Sequence, residues 1–139
     1  MDWIDDNIAV GNWIDAEEVA ERKEKGVDLV LDARALFRRR KGLNLFGMEP
    51  FPDKVLRAAD MLVALSAYKN SKGYGVPKIL IRCLWGVDRT PFVAAVYVNQ
   101  KYGKPLADAY RFVAAKHPQT KFHWDWIEML NREVKIKEM

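Results

Sequence analysis

A chain of 139 residues has room for one hydrophobic core and not for two, so its chemistry must be carried by a single domain spanning residues 1–139. With 50% hydrophobic and 30% charged residues the composition excludes a disordered polyelectrolyte, and no apolar run approaches the roughly 20 residues of a membrane span. One cysteine excludes an internal disulfide, two histidines offer no zinc-like cluster, and a net charge of +4 is too mild to specify a partner unless the cations gather in one place.

Residues 7–10 alternate in polarity and end at Gly11, which reads as a short strand. Asp15 stands where an N-cap would, ahead of a helix over residues 16–25 that Gly26 stops. Residues 27–31 form a second apolar strand, and the order β, α, β points to a parallel pair. That strand leads through Asp32, Ala33 and Arg34 into a basic cluster of Arg38, Arg39, Arg40 and Lys41. Residues 43–51, interrupted by Gly47 and Pro50, are the least regular piece. Pro52 suits the first turn of a long helix running to about residue 69, with Val55, Ala58, Ala59, Leu62 and Leu65 on its apolar side.

A loop over residues 70–77 returns the chain to an apolar strand at Ile79, Leu80 and Ile81, and a largely buried helix begins near Thr90. Gly103, Lys104 and Pro105 end it. A second helix covers residues 106–116, His117 and Pro118 break the chain again, and a third starts near Phe122 with Trp124, Ile127, Leu130 and Val134 on one face. The predicted class is α/β: a short, mostly parallel twisted sheet of four to five strands flanked by helices on both faces.

The residues between the central strand and its helix carry the chemistry. Cys83 lies six positions before Arg89, with Leu84, Trp85, Gly86, Val87 and Asp88 between them and Thr90 beyond. Free backbone N–H groups and the positive end of the helix dipole converge at such a turn, favouring an anion in the loop and the thiolate form of Cys83. Arg89 supplies a planar fork for two phosphate oxygens, and Gly86 lets the backbone turn its amide inward. The plainer reading, a buried inert cysteine beside a surface cation, leaves the glycine and the strand-to-helix switch without a reason.

The run Cys83, Gly86, Arg89, Thr90 stands as C-x-x-G-x-x-R-T and resembles the signature loop of the cysteine-dependent protein tyrosine phosphatase superfamily, its small dual-specificity branch above all. The resemblance extends across the order of strands and helices. It implies phosphomonoester hydrolysis through a phosphocysteine, with Cys83 as nucleophile, Arg89 and the amides of residues 84–89 binding the phosphoryl oxygens, and Thr90 assisting the sulfur or capping the helix. It implies no cofactor and no metal. It also implies an aspartate about thirty residues upstream of the cysteine as general acid. Glu49, followed at the family's offset by Pro52, is the favoured candidate, and Asp53 the alternative, with complementing the helix dipole from the first turn as its competing role. Asp88 is expected to point into solvent, Trp85 to wall the pocket, Trp124 and Trp126 to be core, and His123 to have a packing or capping role.

Two departures from the family pattern stand out: Arg82 occupies the position before the cysteine where histidine is usual, and glutamate replaces the usual acid. They keep open a catalytically weak or inactive phosphate-binding module of the same fold. A rhodanese-like sulfur carrier is a third reading of a cysteine on a cradle of amides. The expected partner is a phosphorylated protein or another polyanionic phosphoester, such as an inositol phosphate or an RNA 5′ phosphate, with nucleic acid not favoured; phosphate, sulfate or vanadate should occupy the loop. An acidic N-terminus without a basic, apolar leader makes the cytoplasm the expected location.

Overall fold

The computed structural model describes residues 1–22, 26–39, 47–67 and 75–138. In chain order they form β1 (Asp2–Trp3), β2 (Ile8–Gly11), α1 (Trp13–Arg22), β3 (Leu29–Asp32), a 3-10 turn (Ala33–Leu36), β4 (Phe37–Arg39), β5 (Met48–Pro50), α2 (Pro52–Ala67), β6 (Ile79–Arg82), α3 (Arg89–Tyr102), α4 (Leu106–Lys116) and α5 (Trp124–Glu138). The main sheet runs β1-β2-β6-β3. β6 is parallel to both its neighbours and β1 closes the edge antiparallel.

Parallel strands covered on both faces need apolar side chains at successive positions, and Ile8, Ala9, Val10, Leu80 and Ile81 have no exposure at all. Their alternation divides two layers. Ile8, Val10, Ile79 and Ile81 face a large core with Leu62 of α2, Phe92 and Tyr97 of α3, Tyr110 of α4 and Trp126 of α5, while Ala9 and Leu80 face Val19 of α1. Each large aliphatic side chain so buried contributes on the order of 2 kcal/mol. The expected α/β class with helices on both faces is the one observed.

The register places the functional end of the sheet. Gly11 and Asp32 both pair with Arg82, so the carboxyl ends of β2, β6 and β3 lie level and the loop after Arg82 emerges between them. Several details differ from the sequence reading. α1 begins at Trp13, because Asn12 is the cap: its side-chain oxygen accepts from the Asp15 N–H at 3.0 Å while the Asp15 carboxylate accepts from the Asn12 N–H at 3.0 Å. Residues 48–50, read as irregular, pair antiparallel with β4, putting Glu49 opposite Arg38. On α5 the buried residues are Trp126, Ile127 and Leu130, whereas Trp124 and Val134 are exposed. Trp124 instead stacks on Phe122 with centroids 4.8 Å apart. Arg40 and Lys41 of the basic cluster lie outside the described residues.

Candidate active site

Residues 83–88 bridge the end of β6 and the start of α3, with Cys83 at 2% exposure. The Gly86 N–H donates to Cys83 Sγ at 3.3 Å. Three carbonyls of this loop are held by donors outside it. Leu84 O accepts from the Trp13 N–H at 3.3 Å, Val87 O from the Lys121 N–H at 2.8 Å, and Gly86 O faces His117 Nε2 at 2.5 Å. Every peptide among the described residues is trans, so the C=O and N–H of one unit point opposite ways. With those three oxygens taken up by donors outside the loop, the N–H groups of Trp85, Val87 and Asp88 point away from those donors. Main-chain donors that converge on one side of a loop form an anion-binding concavity.

Gly86 is required here by both conformation and space. Its φ is +72°, and a Cβ would lie 2.8 Å from the Gly11 carbonyl oxygen, so the loop packs directly on the end of β2. Arg89 opens α3 and lines two adjoining clefts. Its Nε is buried and bonds nothing among the described residues, as is the hydroxyl of Thr90. A guanidinium nitrogen withdrawn from water without a partner is an unmet donor, which an incoming oxyanion would satisfy.

The larger cleft, of about 570 Å³, is lined by Gly47, Met48, Leu84, Trp85, Asp88, Arg89, Lys121, His123, Asp125 and Trp126, and Cys83 is not part of its lining. Trp85 is 66% exposed and lines this cleft. Asp88 does not point free into solvent: its Oδ1 lies 2.7 Å from His123 Nε2, and that bond holds its carboxyl below the ordinary carboxylate range against the opposing effect of burial. His123 in turn lies flat on Trp126 at 3.7 Å, which fixes the ring at the cleft wall; its role is wider than the packing read from the sequence. The smaller cleft, of about 320 Å³, joins Arg38 and Arg39 to Met48, Leu84 and Arg89.

The two acid candidates sit differently. Glu49 follows Gly47 and Met48 of the cleft wall and pairs with Arg38 at 2.7 Å. Asp53, in the first turn of α2, is taken up by Lys137 of α5 at 2.6 Å and by Arg57 at 3.2 Å, and neither Glu49 nor Asp53 lines either cleft. Arg82, before the cysteine, turns sideways along the sheet to Asp32 at 3.1 Å. Arg34 also grips Asp32, and its bonds carry the Asp32 carboxyl down to about 2. His117 was not read as a site residue; it is 2% exposed and touches the loop from behind, with Asp2 Oδ2 2.6 Å from its Nδ1. A histidine before a proline gives no sequence signal beyond a helix stop.

No family model matches the chain. Over 91 residues, 64% of its length, it is 33% identical to dual specificity protein phosphatase 16 of Homo sapiens, and it spans 13% of the length of that relative. Among solved structures it is similar to a leucine rich repeat and phosphatase domain containing protein from Entamoeba histolytica, with a TM-score of 0.69 at 16% identity, covering 99% of this chain and 93% of the other. A variant of human DUSP28 gives a TM-score of 0.67 at 16% identity, covering 98% and 97% of the two chains. With its level strand ends and these likenesses, the chain has the dual-specificity-like fold of the cysteine phosphatases.

Proposed function

We propose that the chain is a phosphomonoester hydrolase acting through a phosphocysteine, with phosphorylated protein residues as its substrate class. The observation that supports this reading is that the carbonyls of Leu84, Gly86 and Val87 are taken up by donors outside the loop, next to the buried, unpartnered Nε of Arg89. In the first step the Cys83 thiolate attacks phosphorus and the P–O ester bond breaks, while Glu49 gives the departing oxygen its proton. In the second, Glu49 takes a proton from water, the water oxygen bonds to phosphorus, and the S–P bond breaks to return thiolate and inorganic phosphate. The Arg89 fork and the loop amides hold the three phosphoryl oxygens throughout, and the Thr90 hydroxyl, buried and bonded to nothing among the described residues, would turn to the sulfur as it leaves. A lone reactive thiol suits a reducing compartment, which supports a cytoplasmic setting.

A second reading concerns the substrate alone. Arg38 and Arg39 share a cleft with Arg89, an arrangement that would favour a doubly phosphorylated or otherwise polyanionic phosphoester such as an inositol phosphate.

The test is turnover of an aryl phosphate by wild type, Cys83→Ser, Glu49→Gln and Asp53→Asn, with vanadate as inhibitor. Cys83→Ser should abolish turnover. Glu49→Gln should lower kcat by about two to four orders of magnitude, the usual worth of a general acid, and Asp53→Asn should leave it within a few-fold. A well-folded wild type that binds a phosphopeptide and never hydrolyses it would replace the enzyme with the binding module.

A further inference from the structure

His117 lies between two acceptors. A carbonyl oxygen can only accept a hydrogen bond, so at 2.5 Å from Gly86 O the Nε2 atom must carry its hydrogen. Asp2 Oδ2 lies 2.6 Å from Nδ1, and a carboxylate likewise accepts. A neutral imidazole has one hydrogen for these two places, and either tautomer would set a nitrogen lone pair against an oxygen at close range. Both bonds are made together only if a second proton is held between ring and carboxyl. His117 is 2% exposed, and Asp2, at 35%, supplies the counter-charge that a buried imidazolium needs.

We infer that His117 is a positioning residue of the phosphate loop: as an imidazolium oriented by Asp2, it pins the Gly86 carbonyl outward and thereby turns the Val87 N–H toward the anion. The other outside donors to the loop, at Trp13 and Lys121, are backbone amides, fixed by the path of the chain. His117 is the side chain of the three, and it acts on the peptide of the one loop residue with a positive φ, where the backbone has most freedom to rotate. The residue next to the cysteine makes no such bond to Gly86 O: Arg82 sends its Nη1 to Asp32, and its Nε is buried without a partner among the described residues. The line of contacts thus runs from the edge strand β1 through Asp2 and His117 to Gly86, whose own N–H meets Cys83 Sγ.

The kinetic part of this inference rests on the phosphatase reading; the protonation and the direction of the Val87 amide do not. The direct measurement is a long-range proton–nitrogen NMR correlation on wild-type protein with labelled histidine at neutral pH. Two protonated ring nitrogens at His117 are expected, and a pyridine-type nitrogen there overturns the proposal. The second measurement compares His117→Gln, whose amide can still donate to Gly86 O, with His117→Ala, reading vanadate affinity and kcat on an aryl phosphate. Losing one oriented donor should weaken His117→Ala by about tenfold to a hundredfold while His117→Gln recovers most of it. Equal losses in both variants, or an alanine variant with wild-type affinity and turnover, overturn it. If His117→Ala does not fold, the wild-type spectrum and His117→Gln decide. Wild type that neither binds vanadate nor turns over removes the proposed function, and the ring-nitrogen spectrum together with the Val87 amide shift, compared between wild type and His117→Gln, still judges this inference.

Discussion

At Gly86 two demands fall on one position: a left-handed backbone, and less than van der Waals distance between any Cβ and the Gly11 carbonyl. Relief of the second by moving the loop would spoil the first, because the amide that faces Cys83 Sγ belongs to the same residue. Gly86→Ala is therefore expected to cost about 1–3 kcal/mol in urea unfolding, and to lower turnover of an aryl phosphate further than that loss of folded protein explains. Wild-type kcat in a folded alanine variant would show that the loop tolerates a different backbone. Cys83, Gly86, Arg89 and Trp85 were legible in the sequence because a local spacing encodes them. His117 was not, since it reaches Gly86 from 31 residues away and nothing local marks the meeting, and His123, placed at the start of the last helix, gave no local sign of its bond to Asp88 across 35 residues. Asp88 was misread for the same reason: its fate depends on a ring delivered by the start of α5.

Among the elements, β3 and β6 are tied at their carboxyl ends by Asp32, which accepts from Arg34 and from Arg82. The Asp32 carboxyl falls to about 2, chiefly through its bond to Arg34, so its folded value lies below that of the unfolded chain. The sign follows: this pairing stabilises the fold above the ordinary carboxylate range near ~4 and is lost as pH falls through about 2. Because the Asp32 side chain is 42% exposed, solvent screens the pairing and the effect is small. Asp32→Asn should lower the melting temperature slightly at neutral pH and shrink its decline between pH ~4 and ~2, measured by thermal melts across that range. An unchanged acid limb would assign the decline to other carboxylates. β2, β3, β6, α2 and α4 could be read from periodicity and from Pro52, Gly103 and the His117–Pro118 break, whereas the two-residue edge strand β1 carries no period to read. The β4–β5 ribbon could not, because Gly47 and Pro50 mimic a loop and its pairing with residues 37–39 is a tertiary matter.

Across the whole molecule, the N-terminal segment clamps the sheet edge to the helix that carries the loop. Asp5 accepts from the Asn7 and Ile8 amides at 2.9 and 2.8 Å and from the hydroxyls of Tyr97 and Tyr102 on α3 at 2.6 and 2.8 Å. Burial raises the Asp5 carboxyl, but the Tyr97 bond and the other donors outweigh it and leave the group below its ordinary value. Its side chain is 13% exposed, so these bonds work with little screening. An asparagine would keep the shape and lose the charge that four donors address. Asp5→Asn is expected to cost roughly 2 kcal/mol at neutral pH by urea unfolding, in the range of hydrogen bonds to a charged group. Since the folded carboxyl titrates below the unfolded one, the wild-type advantage exists above the ordinary carboxylate range and must fade as pH drops through the folded value, where both side chains are neutral. A difference between the two proteins that stayed constant down to strongly acid pH would mean that the geometry of the turn, and not the carboxylate, joins β2 to α3. The clamp lies at the other end of α3 from Arg89, so kcat of the folded Asp5→Asn protein should match wild type while its melting temperature falls; a parallel loss of kcat would show that the pitch of α3 is set from both ends.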